Sequence, residues 1–229
     1  SILNEPELEL LGDIAGKELL HLQCHFGQDT LAMARMGATV SGLDISDAAI
    51  DYARQLAADT GIPASFYCAD VYEPPTALHG RHDVVFTSYG TIVWLPDLDK
   101  WAQTIATCLK PGGRFVFADT HPVALMFDDN FQRITYPYFN MGAIEEIEKA
   151  TYADQNAEIG LPSVTWNHSM AEIVQALLNA GLQLQTIREY DYIPCNCFGN
   201  MTEVAPHRFQ VTGSEGLFPM VLGLVAVKL

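Results

Sequence analysis

Apolar residues follow two alternating patterns along the first half of this chain. Short runs at 18–22, 39–43, 64–68, 83–87 and 114–118 are nearly continuous. Between them, at 28–36, over the stretch after Ser46 and at 97–109, apolar residues return every third or fourth position. The runs predict strands buried in a sheet, and the helical period predicts amphipathic helices packed on it. A further short helix is expected at 6–11. Ser46 offers a side-chain oxygen to cap a helix, Asp47 follows in its first turn, and Gly61 ends it. The run Lys110-Pro111-Gly112-Gly113 is a hard stop before the next strand. Such alternation predicts a parallel sheet with helices on both faces, and ligands then bind beyond the carboxyl ends of the strands. By that rule Gly27, Asp44, Asp70, Tyr89 and Asp119 share one rim.

The pattern changes after Asp119. Residues 121–166 interleave Phe127, Phe131, Tyr136, Tyr138, Phe139 and Tyr152 with polar positions. They are expected to form a cap over the crevice, with antiparallel strands at 132–138 and 144–152, inserted within a single domain spanning 1–229. Trp166-Asn167-His168-Ser169 then leads into a helix at 170–180, stopped by Gly181. Strands are expected at 182–190 and 218–227. No helix pattern lies between these two, so they close the sheet as an antiparallel hairpin. The expected fold class is α/β, Rossmann-like: a mostly parallel seven-stranded sheet with helices on both faces, a closing hairpin and a cap insertion.

The length of 229 residues suits one domain with a full core. Twelve Lys and Arg against 28 Asp and Glu leave a net charge of −16. A surface this acidic repels phosphate backbones and anionic membranes, so a nucleic-acid or membrane partner is not expected; a small or cationic substrate stays open, and bulk charge does not identify one. No apolar run approaches the roughly 18 residues of a membrane span, and no secretory pattern opens the chain. Cys24, Cys68, Cys108, Cys195 and Cys197 are odd in number and show no staple-like spacing. Cys24, Cys68 and Cys108 read as small buried hydrophobes, and a reducing cytoplasm is the expected compartment. Cys195-Asn196-Cys197 with His207 lacks the second ligand pair that a metal site needs, so no metal is expected.

The most informative stretch is Gly16 to Thr30. An apolar strand passes through a turn at Gly27 into a helix, and the strand that follows ends in Asp44. Strand, tight turn, helix, strand and terminal acid describe a nucleotide-binding βαβ unit. A carboxylate there accepts hydrogen bonds from both hydroxyls of a ribose. Gln23 and His25 stand where such turns carry glycine, which counts against a dinucleotide, whose pyrophosphate leans on a bare backbone cradle.

Together, Leu20 to Asp29, Gly42-Leu43-Asp44-Ile45-Ser46, Ala69-Asp70-Val71 and Leu109-Lys110-Pro111-Gly112-Gly113-Arg114-Phe115 resemble the class I S-adenosylmethionine-dependent methyltransferases. The segment His21 to Thr30 and Trp166-Asn167-His168-Ser169 narrow the resemblance to a subgroup acting on small molecules. It implies S-adenosyl-L-methionine as cofactor and methyl transfer by direct in-line displacement; general frequency alone slightly favours oxygen or nitrogen acceptors over carbon. It implies that the turn through Gln23, Cys24, His25 and Gly27 cradles the methionine part. Asp44 then holds the ribose hydroxyls and Ile45 lies against the adenine. Asp70 accepts the adenine amino group, and Val71 covers the other face of the ring. Ser88 and Tyr89 meet the methionine end and the substrate. A cofactor-binding protein without catalysis, and an NAD-dependent oxidoreductase, are the alternatives.

A base is needed only when the acceptor carries a proton that must leave. His121, beside Asp119 at a strand end, is the first candidate, with Tyr89 as its neighbour in the reaction. His25 faces either the cofactor or the substrate. Trp94, Tyr136, Tyr138 and His168 are expected to line the substrate pocket, with Asn196 and Phe198 on the cap side. His21 reads as a core residue, and His79 and His82 as loop residues. Glu145, Glu146 and Glu148 read as a solvated face.

Overall fold

A computed structural model describes residues 3–148 and 160–229. The first half alternates helix and strand: α1 (Glu5–Leu11), β1 (Glu18–Leu22), α2 (Gln28–Arg35), β2 (Thr39–Asp44), α3 (Asp47–Thr60), β3 (Ser65–Cys68), β4 (His82–Ser88), α4 (Leu98–Cys108) and β5 (Leu109–Thr120). Then come β6 (Ile144–Glu148), β7 (Leu161–Thr165), α5 (Met170–Asn179), β8 (Leu182–Tyr190), β9 (Met201–Ala205), β10 (Arg208–Val211) and β11 (Val221–Lys228). Seven strands form one sheet in the order β3-β2-β1-β4-β5-β11-β8. The first five are parallel; β11 runs antiparallel between β5 and β8.

Successive residues of the strands feed opposite faces, as the pleat requires. Leu20, Leu22, Val85, Phe115, Phe117, Leu222 and Leu224 pack on α4 and α5, around Trp101. Leu19, Val84, Phe86, Val116, Ala118 and Val225 pack on α1 and α2. Continuous apolar runs in β4 and β5 therefore reflect burial on both sides. The helix starts follow the capping rules. Ser46 Oγ accepts from Ala49 N at 3.2 Å, and the Asp97 and Ser169 side chains cap α4 and α5 likewise.

Four sequence expectations need correction. Residues 132–138 form no strand: Ile134 makes one antiparallel bridge with Phe127, while Tyr136 reaches to Glu146 and Tyr138 to the start of α5. The strand expected at 144–152 is seen as β6, and residues 149–152 lie outside the described residues. Its antiparallel partner is β7, and a second small hairpin, β9 with β10, fills the connection between β8 and β11. Lys110 to Gly113 is not a separate turn but a bulge in the β4–β5 ladder, where the register slips between His82 and Val84. His82 accordingly belongs to β4 and is buried, whereas Cys68 is exposed at the end of β3.

α1 lies across β5 and β11. A Cβ on Gly223 of β11 would come within 2.7 Å of Leu10 Cδ1, so that glycine makes room for the helix. The Arg114 guanidinium donates to the Leu10 and Leu11 carbonyls, closing the C-terminal end of α1.

Gly27 opens α2 with φ +72°, and a Cβ there would lie 2.8 Å from Ala53 Cβ and from the Phe66 ring. Gly112 has a similar φ of +78° but open space around it. Gly27→Ala is therefore expected to destabilise by about 2–4 kcal/mol and Gly112→Ala by only about 1–2 kcal/mol in urea unfolding. Equal losses would show that packing against Phe66 does not fix the glycine.

Candidate functional site

The crevice lies at the carboxyl ends of β2, β1, β4 and β5, and each strand end holds its neighbour's turn. From β2, Asp44 Oδ2 accepts from the His25 backbone N–H at 2.8 Å, and Oδ1 accepts from Ser46 N at 2.9 Å. From β1, the Gln23 amide donates to the Thr91 carbonyl at 2.9 Å. From β5, Asp119, 1% exposed, accepts from Gly90 N, Thr91 N, Thr91 Oγ1 and Ile92 N at 2.5, 3.0, 2.8 and 3.4 Å. One buried carboxylate thus fixes the loop after β4.

Three non-glycine residues here adopt left-handed backbone: Gln23 at φ +54°, His25 at +49° and Tyr89 at +24°. The turn keeps the conformation glycine would adopt freely, at a cost in strain that characteristically gathers at functional sites. Gln23 carries a second cost. Its Oε1 is buried without a hydrogen-bond partner, a penalty of about 1–3 kcal/mol that a donor would recover.

At the nucleotide end, Asp44 is half-buried and each of its oxygens retains a lone pair beyond its one backbone partner. Ile45 beside it is 71% exposed, a bare apolar face at the rim. Asp70 is exposed; its Oδ1 accepts from Tyr72 N at 2.9 Å and its other oxygen faces no such donor in that turn. Val71 is buried in the main core, and Cys24 packs among Leu31, Ile50 and Phe66, where burial pushes its thiol up to about 12. Ser88 is buried at the end of β4. His25 is exposed, its ring 3.8 Å from that of Phe26.

The remaining candidates separate into crevice and framework. His121 is 3% exposed; its Nδ1 accepts from Val123 N at 3.1 Å, so Nε2 carries the proton and donates to Glu189 at 3.0 Å. Burial holds this imidazole below the usual histidine range, against the pull of Glu189. With both nitrogens engaged the ring has no lone pair to take a proton, which conflicts with the role expected of it as a base. His168 is also buried, between the Leu95 carbonyl (2.8 Å) and Glu172 (3.1 Å), and secures the start of α5. The Tyr138 hydroxyl accepts from Met170 N at that same helix start, and the Tyr136 hydroxyl donates to Glu146. Trp94 is half-exposed in the turn after β4, whose Val93 carbonyl accepts from Trp166 N and ties the cap to the crevice. Asn196 is exposed, and Phe198 packs edge-on against Phe131. Among the described residues no cluster of three or more His, Cys, Asp or Glu gathers as a metal site, and His207 lies in the turn between β9 and β10.

Sequence reading missed Glu7. It is 2% exposed, hydrogen-bonded to Asn4 at the start of α1, and it accepts from the Tyr89 hydroxyl at 3.3 Å. The spacing Asn4-x-x-Glu7 is a capping-box signal that would have marked the helix start. Burial, and then the Glu7 charge, hold the Tyr89 phenol well above its usual range, so the hydroxyl keeps its proton and donates. Burial likewise raises Glu7 and, nearby, Asp29. Tyr192 and Arg208 bind Glu5, and Tyr190 and Arg188 bind Glu9, so α1 is strapped along the crevice.

With its pKa raised on folding, Glu7 binds protons more tightly in the folded than in the unfolded chain. Its contribution is most favourable below the unfolded value and is lost as pH rises through the folded one. Glu7→Gln keeps the shape of the side chain and one of its two acceptor oxygens, without the charge. It is expected to raise the midpoint of thermal unfolding at pH 7 relative to wild type, with the gain shrinking toward pH 4. A gain that does not change with pH would contradict the burial of this charge.

Residues 19–113 match the family described as methyltransferase domain. Over 110 residues the chain is 37% identical to a ubiquinone biosynthesis O-methyltransferase of Shewanella pealeana, covering 48% of this chain and 45% of that protein. Over 121 residues it is 29% identical to the protein of that name from Bordetella avium, covering 52% and 50%. The chain thus spans about half the length of the curated relatives it matches. An S-adenosylmethionine dependent methyltransferase from Mesorhizobium loti shares the fold with a TM-score of 0.65 at 22% identity, covering 96% of this chain and 94% of that one. So does a geranyl diphosphate C-methyltransferase from Streptomyces coelicolor, solved with Mg2+, geranyl diphosphate and S-adenosyl-L-homocysteine. Its TM-score is 0.61 at 17% identity, with 97% and 78% coverage. The matched segment holds the turn after β1, Asp44 and Asp70, so this part of the chain is similar to methyltransferase domains, and the fold around it is that of solved S-adenosylmethionine dependent methyltransferases.

Proposed function

We propose that this protein transfers the methyl group of S-adenosylmethionine to an oxygen or nitrogen of a small-molecule acceptor. The observation that carries the reading is the Asp44 carboxylate, held by two backbone N–H groups at the rim with lone pairs to spare. That is an acceptor pair matched to two vicinal hydroxyls. Ile45 offers an apolar surface to the adenine from one side, Val71 bounds it from the core side, and Asp70 accepts from its amino group. Gln23, Cys24, His25 and Gly27 shape the turn around the methionine part, with Ser88 across from it. The unpaired Gln23 Oε1 suits a bound ammonium.

The cofactor supplies a sulfonium methyl that is already electrophilic, so alignment of the acceptor can provide much of the acceleration. This chain's part is to hold the two partners in line and to exclude water. We assign the acceptor side to the Tyr89 ring and hydroxyl, bounded by Glu7 and by Trp94, and give His121 the task of anchoring the turn at the foot of the cap. The relatives named O-methyltransferases support oxygen as the acceptor atom, although this fold carries carbon acceptors too.

Calorimetry with S-adenosylhomocysteine tests the reading. Wild type is expected to bind, and Asp44→Ala to bind at least about tenfold more weakly, a loss of about 1.4 kcal/mol. Equal affinity in the two proteins would misplace the ribose, and no heat from wild type at about 1 mM ligand would refute the cofactor.

A further inference from the structure

The segment between β8 and β9 carries two thiols that the proposed reaction does not use. Cys195 is exposed; Cys197, two residues on, is half-buried against the aromatic cluster of Phe131, Phe198 and Phe218. The Cys197 thiol donates to the Cys195 carbonyl at 3.7 Å, which folds the second sulfur back toward the first residue. Cys195 is also close enough to Tyr89 and Glu7 for their charges to act on one another. The other free cysteines differ. Cys24 and Cys108 are buried and held up to about 12, and exposed Cys68 donates to the Ile45 carbonyl at 3.5 Å without a second thiol beside it.

We infer that Cys195 and Cys197 form a reversible oxidation site, closing to a disulfide in response to a hydroperoxide. An accessible thiol beside a resolving thiol is the arrangement of redox-sensitive pairs. Cys195 attacks the peroxide oxygen as thiolate, the O–O bond breaks, and a sulfenic acid and water result. The Cys197 sulfur then displaces the sulfenic oxygen, which leaves as a second water, and the S–S bond forms. Two thiols are oxidised by two electrons, and one hydroperoxide is reduced. Accessibility sets the order, since Cys197 is sheltered by the aromatic rings. The Cys197 thiol works in the same direction, holding the Cys195 thiol below its usual range. The ring closed by neighbours this near in sequence is small and strained, so the bond is readily reduced again.

Closure is felt at the crevice. Beyond Cys197 the chain is pinned, because Gly199 N donates to the Asp129 carbonyl at 2.8 Å and Asn200 donates to the Asn130 carbonyl at 3.4 Å. Before Cys195 it is pinned as well, by the paired backbone bonds of Ile193 and Phe209 at 2.9 Å, so movement is confined to 194–198, next to Tyr89.

The test is a titration of the whole protein with hydrogen peroxide, followed by peptide mass mapping with and without dithiothreitol. In wild type the expected result is a loss of two hydrogens on the peptide holding 195–197, reversed by the reductant, before Cys68 reacts. In Cys197→Ser, dimedone is expected to label Cys195. Hydrogen exchange on the oxidised protein is expected to change in peptides over 86–92 and not over 39–47. Oxidation of Cys68 first, a disulfide between two molecules, or a pair that reacts no faster than Cys68 would overturn the inference. The wild-type map alone decides it, whatever the serine variant does.

Discussion

The crevice depends on a row of hydrogen bonds that runs across the strand ends rather than along the strands. Asp44 on β2 holds the turn after β1, Gln23 in that turn holds the loop after β4, and Asp119 on β5 holds the same loop from the other side. Each link joins a side chain to backbone that no ladder or helix can satisfy. Without them, three residues in left-handed conformation would relax to ordinary backbone, and the turn would close on the space it now leaves open. The sheet provides the spacing, and these links convert spacing into a fixed shape. Such preorganisation suits a reaction in which alignment, not covalent chemistry, does the catalytic work.

The parts of this structure with a repeating physical cause were legible in the sequence. β1 and β8 fall at the expected residues because a buried strand needs an unbroken apolar or alternating run. Ser46 and Gly61 bound α3 because an N-cap oxygen and a left-handed glycine are local requirements. Asp44 and Ile45 reach the rim because the end of a parallel strand puts them there. The misses have a different origin. The β9–β10 hairpin is short and mostly half-buried, so burial leaves no clear alternation in it. Ile134, Tyr136 and Tyr138 alternate as a strand would, yet of the three only Ile134 forms a β-bridge. Gln23 and His25 stand where glycine is usual, but that they keep its positive φ rather than reshape the turn was visible only in the structure.

The surroundings of Tyr89 were the least legible, for a reason of topology. Tyr89, Glu7, Asp29 and Cys195 come from four separate stretches of chain, and only the docking of α1 over β5 and β11 brings them near one another. That docking rests on Gly223 and Arg114, residues whose sequence surroundings suggest only a strand. His121 shows the converse. Its type and place in the chain suit a base, yet a backbone N–H and Glu189 occupy both ring nitrogens. Proximity to a crevice is thus a weak guide to function until the partners of each polar atom are counted.

On the proposed reading, the row of strand-end links preforms the adenosyl site. A crystal structure with S-adenosylhomocysteine bound is the direct test. Both ribose hydroxyls are expected to reach the Asp44 carboxylate while it still holds the His25 N–H, with Gln23 and His25 still at positive φ. An adenosyl group bound away from Asp44, or a turn that rearranges to ordinary backbone around it, would contradict it.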